Sequence, residues 1–317
     1  MFKGLHVTNS MAINRIVSFL PSATELLYEL GVQDKIYGVT HECKFPHDAT
    51  LRPQVISSVI NSDELDSKEI DTVTCRLLDE GKDIFVLNET NLKKAQPDLI
   101  ISQETCKVCA AFTNQVNKAV QILEKKPILH SMDPHNLNEI INSVKEIGSI
   151  LEKDAKADEI IKSLEQRIEK IKKNENDNKP KVLVIEWIEP FFTAGHWIPE
   201  MVEIAGGINL ISKSGERSRR IGFEEIEKCE PEIIIVMPCG FDTSRTISEY
   251  NKILKQNKKW CSLKAVKNNH VFAVDANSFF SKPSIRTIEG LEILAKIIQP
   301  KKFENITVSE GSFSLLE

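Results

Sequence analysis

One order of elements occurs twice in this chain, once on either side of a long proline-free helical stretch. In the first half the β-rich run "RIVSFL" (15–20) leads into "PSATELLYELG", which reads as a helix with Pro21 near its start and Gly31 at its stop. A short strand "KIYGVT" follows. Then come "NLKKAQPDLIIS", a helix halted by Pro97 before a buried strand, the helix "AAFTNQVNKAVQILEKK" and the strand "PILHS". From residue 181 the order recurs as strand "KVLVIEW", helix "PEMVEIAGG", short strand "INLIS", helix "FEEIEKCE", strand "PEIIIVMP", a helix and strand "HVFAVD". Alternating strands and helices predict a mainly parallel sheet in each half. The paired segments "PDLII" and "PEIII", and "PILHSMD" and "HVFAVDA", mark an internal repeat.

The fold class read from this pattern is α/β, with two Rossmann-like lobes and parallel sheets. The N-terminal lobe covers 14–134, a linking helix 135–173 and the C-terminal lobe 180–299, with a polar mobile tail over 300–317. A length of 317 residues suits two domains at about 100 to 200 residues each. The linker, "HNLNEIINSVKEIGSILEKDAKADEIIKSLEQRIEKIKK", keeps Ile140, Val144, Ile147 and Ile161 at helical spacing behind an Asn136 cap. Read as one helix of about 37 residues at 1.5 Å each, it is a spine of roughly 55 Å.

A net charge of −5 leaves no basic footprint for nucleic acid. No run approaches the roughly 18 apolar residues of a membrane span. The N-terminus "MFKGLHVTNSMAINR" lacks the apolar core of a secretory signal, and seven cysteines are an odd number for a paired secreted framework. Both features predict a cytoplasmic chain with its thiols reduced, extracytoplasmic only if a leader was trimmed, and a monomer is expected.

Ligands of open α/β sheets bind beyond the carboxyl ends of the strands. His41, Glu42 and Cys43 follow "KIYGV"; Gln103, Glu104, Cys106 and Cys109 follow "DLIIS"; Glu186 and Trp187 end "KVLVI". Phe192, His196 and Trp197 lie in the next loop, Cys239 and Phe241 follow "EIIIVMP", and Asn277, Phe280 and Arg286 come after "VFAVD". Two lobes bring these rims face to face across a cleft.

The pair in "QETCKVCAAF" has three readings: a redox couple at a helix start, part of a metal site, or soft lining of an organic pocket. A zinc or iron ion would draw on His41, Cys106, Cys109, His196 and Cys239. Glu104 and Glu186 could act as acid and base, but no nucleophile elbow, P-loop or dinucleotide fingerprint accompanies them. No catalytic residue is therefore assigned.

The ordered segments "RIVSFLPSATELLYELG", "QPDLIIS", the central helical stretch, "HWIPEMVEIAGGINLIS", "FEEIEKCEPEIIIV" and "VFAVDA" resemble the vitamin B12 and iron-siderophore binding proteins of ABC importers, over about residues 14 to 299. "THECKFP", "QETCKVCA", "EWIEPFFTAGHWIPEM", "PCGFD" and "ANSFFSKP" resemble its cobalamin-binding branch without a signal peptide. The resemblance implies a class III periplasmic-binding-protein-like fold with lobes joined by a rigid helix. It also implies a cobalamin or iron chelate in the cleft, an ABC permease as partner, and Glu89 and Glu224 as the docking acids. Two uses of such a fold stay open at this point. One is a binding protein, as importer component or intracellular corrinoid carrier; the other is an intracellular metal or thiol enzyme built on the same cleft.

Overall fold

The computed structural model describes residues 12–103, 111–173 and 178–317. Glu104, Cys106 and Cys109 lie outside the described residues.

The N-terminal lobe is built from β1 (Ile16–Ser18), α1 (Pro21–Glu29), β2 (Ile36–Thr40), β3 (Gln54–Ser58), α2 (Ser67–Asp79), β4 (Phe85–Leu87), α3 (Glu89–Ala95), β5 (Leu99–Gln103), α4 (Ala111–Ile122) and β6 (Ile128–Met132). Next come α5 (Leu137–Ile150) and α6 (Asp154–Lys172). The C-terminal lobe has β7 (Lys181–Trp187), β8 (Phe192–Thr193), α7 (Ile198–Ile204), β9 (Ile208–Asn209), α8 (Phe223–Lys228), β10 (Ile233–Val236), α9 (Thr243–Ile253), α10 (Lys258–Ser262), α11 (Lys264–Lys267), β11 (Val271–Val274), α12 (Ala276–Phe279), α13 (Thr287–Ile298) and β12 (Phe313–Leu315).

The strand orders are β4-β3-β2-β1-β5-β6 in the first sheet and β12-β11-β10-β7-β8 in the second, with β9 alongside β7. The interior pairings are parallel, as expected, but β4, β8 and β12 pair antiparallel at the margins. The sheets are therefore mixed, with β8 returning directly from β7 and β4 and β12 reaching their edges after intervening helices.

Two further expectations change in detail. The linker is not one 55 Å helix: α5 ends at Ile150, Glu152 takes a left-handed φ of 55°, and α6 starts at Asp154. Leu137 and Ile141 of α5 share a groove with Ile168 and Lys172 of α6, so the two helices fold back as a hairpin. The residues after 300 are not a loose tail. Phe313–Leu315 adds a strand to β11, and Phe303, Ile306 and Leu316 are buried.

The apolar side chains sort by the two-residue period of a strand. Val17 and Ile100 face the outer cluster of the N-terminal lobe; Leu183, Ile185, Ile234 and Val236 face that of the C-terminal lobe. Their neighbours Ile16, Leu99, Ile101, Val182, Val184, Ile233 and Ile235 turn to a third cluster, which also holds α5, α6, α7 and α13 and runs through both lobes. One continuous core therefore joins the lobes and fixes where their strand ends meet.

Candidate functional site

A cleft of about 110 Å³ opens where the strand ends of both lobes converge. It is lined by Gln103 from β5, Glu186 from β7, His196 and Trp197 from the loop before α7, Cys239 after β10 and Phe280 after α12. Gly195, Ser218, Met237 and Ser281 complete the wall. A larger groove of about 220 Å³ lies between the α5–α6 hairpin and α7, but its Glu165, Glu169, Lys172 and Glu200 are helix side chains away from any strand end. The strand-end rule favours the smaller cleft.

The cleft loop is held by its own backbone. Gly195 donates its N–H to Glu186 Oε2 at 3.2 Å, and the 216–218 segment passes so close that a Cβ on Gly195 would meet the Ser218 nitrogen at 2.3 Å. Glycine is required there. His196 has φ +55° and is pinned by its N–H to the Glu216 carbonyl at 2.6 Å and by Gly215 N–H to its own carbonyl at 2.9 Å. The Trp197 indole donates to the Phe280 carbonyl at 3.1 Å, which locks two aromatic walls together.

His135, unassigned from the sequence, completes the site. It stands just before α5, and its Nδ1 lies 3.2 Å from His196 Nδ1, with the ring centroids 5.3 Å apart. Its other nitrogen is 3.3 Å from Asp133 Oδ2. Burial first, then the neighbouring His135 and Arg217, hold the His196 imidazole down to about 4, against a weaker pull from Asp133. His196 is thus neutral near pH 7, and in the tautomer that donates its Nδ1–H to His135 its Nε2 keeps a lone pair for a hydrogen-bond donor or a metal ion. The signal for His135 was in "HSMDPH", which leaves β6 at the same carboxyl rim that yielded the other candidates.

Several expected residues lie elsewhere. Trp187 turns its indole N–H to the Ser67 carbonyl at 3.0 Å and packs edge-on to the buried Phe241, whose face is covered by Arg245 at 3.7 Å. Phe192 lies under Arg220. Asn277 accepts from Lys282 at 2.7 Å. Arg286 stacks over Phe45 and Phe279 and reaches 3.7 Å from the buried Glu25, whose pKa burial raises against the pull of Arg286. His41 lies beside Phe85, with Nε2 4.0 Å from Glu42, outside the cleft lining. These side chains shape and join the lobes rather than wall the cavity. Among the described residues no group of three or more His, Cys, Asp or Glu is placed to hold a metal ion.

Residues 16–278 match the family described as periplasmic binding protein. The chain belongs to that family. A relative in Bacillus subtilis (strain 168), the uncharacterized ABC transporter substrate-binding lipoprotein YvrC, is 24% identical over 305 residues, covering 94% of this chain and 84% of that one. The high-affinity heme uptake system protein IsdE of Staphylococcus aureus is 27% identical over 198 residues, 61% of this chain and 64% of its own length. Among solved structures, the periplasmic vitamin B12 binding protein BtuF of Vibrio cholerae aligns with a TM-score of 0.67 at 19% identity, covering 93% of this chain and 99% of that one. IsdE complexed with heme aligns with a TM-score of 0.68 at 22% identity, covering 90% and 98%.

The expected two-lobed, class III periplasmic-binding-protein-like fold is therefore the observed one. The family is one of binding proteins, and the Bacillus relative is named as a substrate-binding protein of an ABC transporter rather than as an enzyme. The cytoplasmic expectation is overturned, since the family is periplasmic and the Bacillus relative is a lipoprotein. The thiol count and the N-terminal residues were poor guides to compartment, because neither bears on the cleft that defines the family.

Proposed function

We propose that this protein captures a large metal chelate, a corrinoid or a heme, in the cleft between its lobes and delivers it to an ABC permease. The observation that carries this reading is the imidazole pair of His135 and His196, the latter lining the cleft together with Trp197 and Phe280 at the rim where both sheets end. Neutral imidazole is a good ligand for iron or cobalt, and the aromatic walls suit the apolar face of a macrocycle. Gln103 and Glu186 stand on the same wall to bond its peripheral groups. Relatives named for B12 and for heme support the class of ligand.

The 110 Å³ cleft is smaller than the roughly 300 to 1,000 Å³ that drug-sized ligands fill, so the lobes part to admit a macrocycle. Titration with hydroxocobalamin and with hemin, followed by absorbance, tests the reading. One of the two is expected to bind at one equivalent, shift its visible spectrum and raise the melting temperature as mass action requires. His196→Ala is expected to weaken that ligand by about 10-fold or more, or ~1.4 kcal/mol. If neither chromophore stays with the protein through gel filtration, the proposal is wrong.

A further inference from the structure

The helix α2 leaves the N-terminal sheet between β3 and β4, yet none of its residues belongs to any of the three apolar clusters. Its polar partners are on the other lobe. The Ser67 N–H donates to Glu249 Oε1 at 2.7 Å, while the Ser67 carbonyl accepts the Trp187 indole at 3.0 Å. Asp71 takes Arg220 on both oxygens at 2.8 Å, and Asp66 takes Lys252 at 2.6 Å. Arg245 donates to the Ser62 and Leu65 carbonyls at 2.5 and 3.0 Å. Asp66 is at once the cap that starts α2, through a capping box with Glu69, and the carboxylate held by Lys252, so helix start and docking share one side chain.

The strap sits beside the cleft, because Trp187 directly follows the cleft residue Glu186 and packs on Phe241. A weld of apolar surface would be permanent. Hydrogen bonds and exposed ion pairs are individually weak, screened by salt and easily reversed. A segment without a share of the core also has low local stability.

We propose that residues 62–75 form a releasable strap that ties the N-terminal lobe to the C-terminal lobe and sets the width of the closed cleft. Letting go widens the cleft on the side of α9. That a macrocycle enters by this release rests on the chelate reading above; the strap itself does not.

The test is hydrogen exchange on the ligand-free full chain, with small-angle scattering alongside. Amides of α2 are expected to exchange far faster than those of α6, and faster again by about 10-fold in an Asp71→Asn, Lys252→Gln variant, while α6 is unchanged. Raising NaCl from about 20 mM to about 1 M should move the unmodified protein in the same direction, which guards against a variant that merely folds badly. The scattering profile should broaden as the strap opens. Protection of α2 equal to that of α6, insensitive to both substitution and salt, would overturn the strap. Since no ligand is present, failure of the chelate reading shows only in the titration described above.

Discussion

At the residue scale the cleft depends on one imidazole, His196, that is kept neutral. His196 has its pKa depressed to about 4, chiefly by burial, so between that value and the ordinary 6.5 the unfolded chain binds a proton that the folded chain refuses. Stability therefore rises with pH through this window and is fully present above it, and it is lost as pH falls from about 6.5 toward 4. The size is on the order of 2 kcal/mol, or several degrees of melting temperature. His196→Asn keeps a polar group but removes the titration. Its melting temperature should fall less steeply than that of the unmodified protein from pH 6.5 to 4.5, and parallel curves would contradict this account. Six of the cleft residues, Gln103, Glu186, His196, Trp197, Cys239 and Phe280, were legible from the strand-end rule alone. Trp187 and Arg286 follow the same strand ends but were drawn into contacts between the lobes, and Phe241 into packing against Arg245 within its own lobe, since direction off a rim depends on rotamer and partner, which periodicity does not encode.

At the element scale, the alternation of strands and helices was readable because each buried strand is a short β-branched run bounded by Pro or Gly. The hairpin was not. Apolar spacing continues from Ile147 across the turn to Ile160, and Glu152, a residue with no turn preference, occupies the left-handed position that Gly or Asn usually marks. The signal that was present lay in Gly148. A Cβ there would meet the Ala157 Cβ at 2.5 Å, so the glycine lets α5 and α6 close on each other one turn either side of the bend. Gly148→Ala gains helix propensity but forces the two helices apart. A net loss of about 1 to 3 kcal/mol is expected in chemical denaturation, and an unchanged or higher midpoint would show that the contact is slack. The strands β3, β4 and β12 escaped notice for a related reason. "QVISS", "FVL" and "FSL" are too short to display a period, and they form only against a neighbour already in place.

At the scale of the whole molecule, the lobes stay joined, because the central cluster passes from one to the other through the hairpin. The Arg167 guanidinium on α6 grips Glu292 on α13 through two bonds of 2.9 and 2.6 Å, which fastens the hairpin to the C-terminal lobe. A membrane partner would therefore meet both lobes together, with one candidate point on each. Glu89 opens α3 and Glu224 lies in the first turn of α8; both are exposed, one on each lobe. Glu224 starts its helix near the carboxyl end of β7, since Arg220 pairs with Phe192 opposite Trp187, whereas Glu89 follows the antiparallel β4 and lies by the start of β3, where Asn91 of the same first turn donates to the Gln54 carbonyl. A carboxylate at a helix start is favoured by the helix dipole and needs no partner to be there. Docking thus has to be separated from local helix stabilisation, and charge reversal does so. Glu89→Lys with Glu224→Lys should leave the chelate affinity and the spectrum of the bound form unchanged, while uptake by cells carrying the importer falls at least 10-fold, consistent with loss of two interfacial charge pairs. A melting temperature lowered by a degree or two with full uptake would assign both acids to their helices alone. Loss of uptake at unchanged affinity would place the permease in contact with both lobes at once.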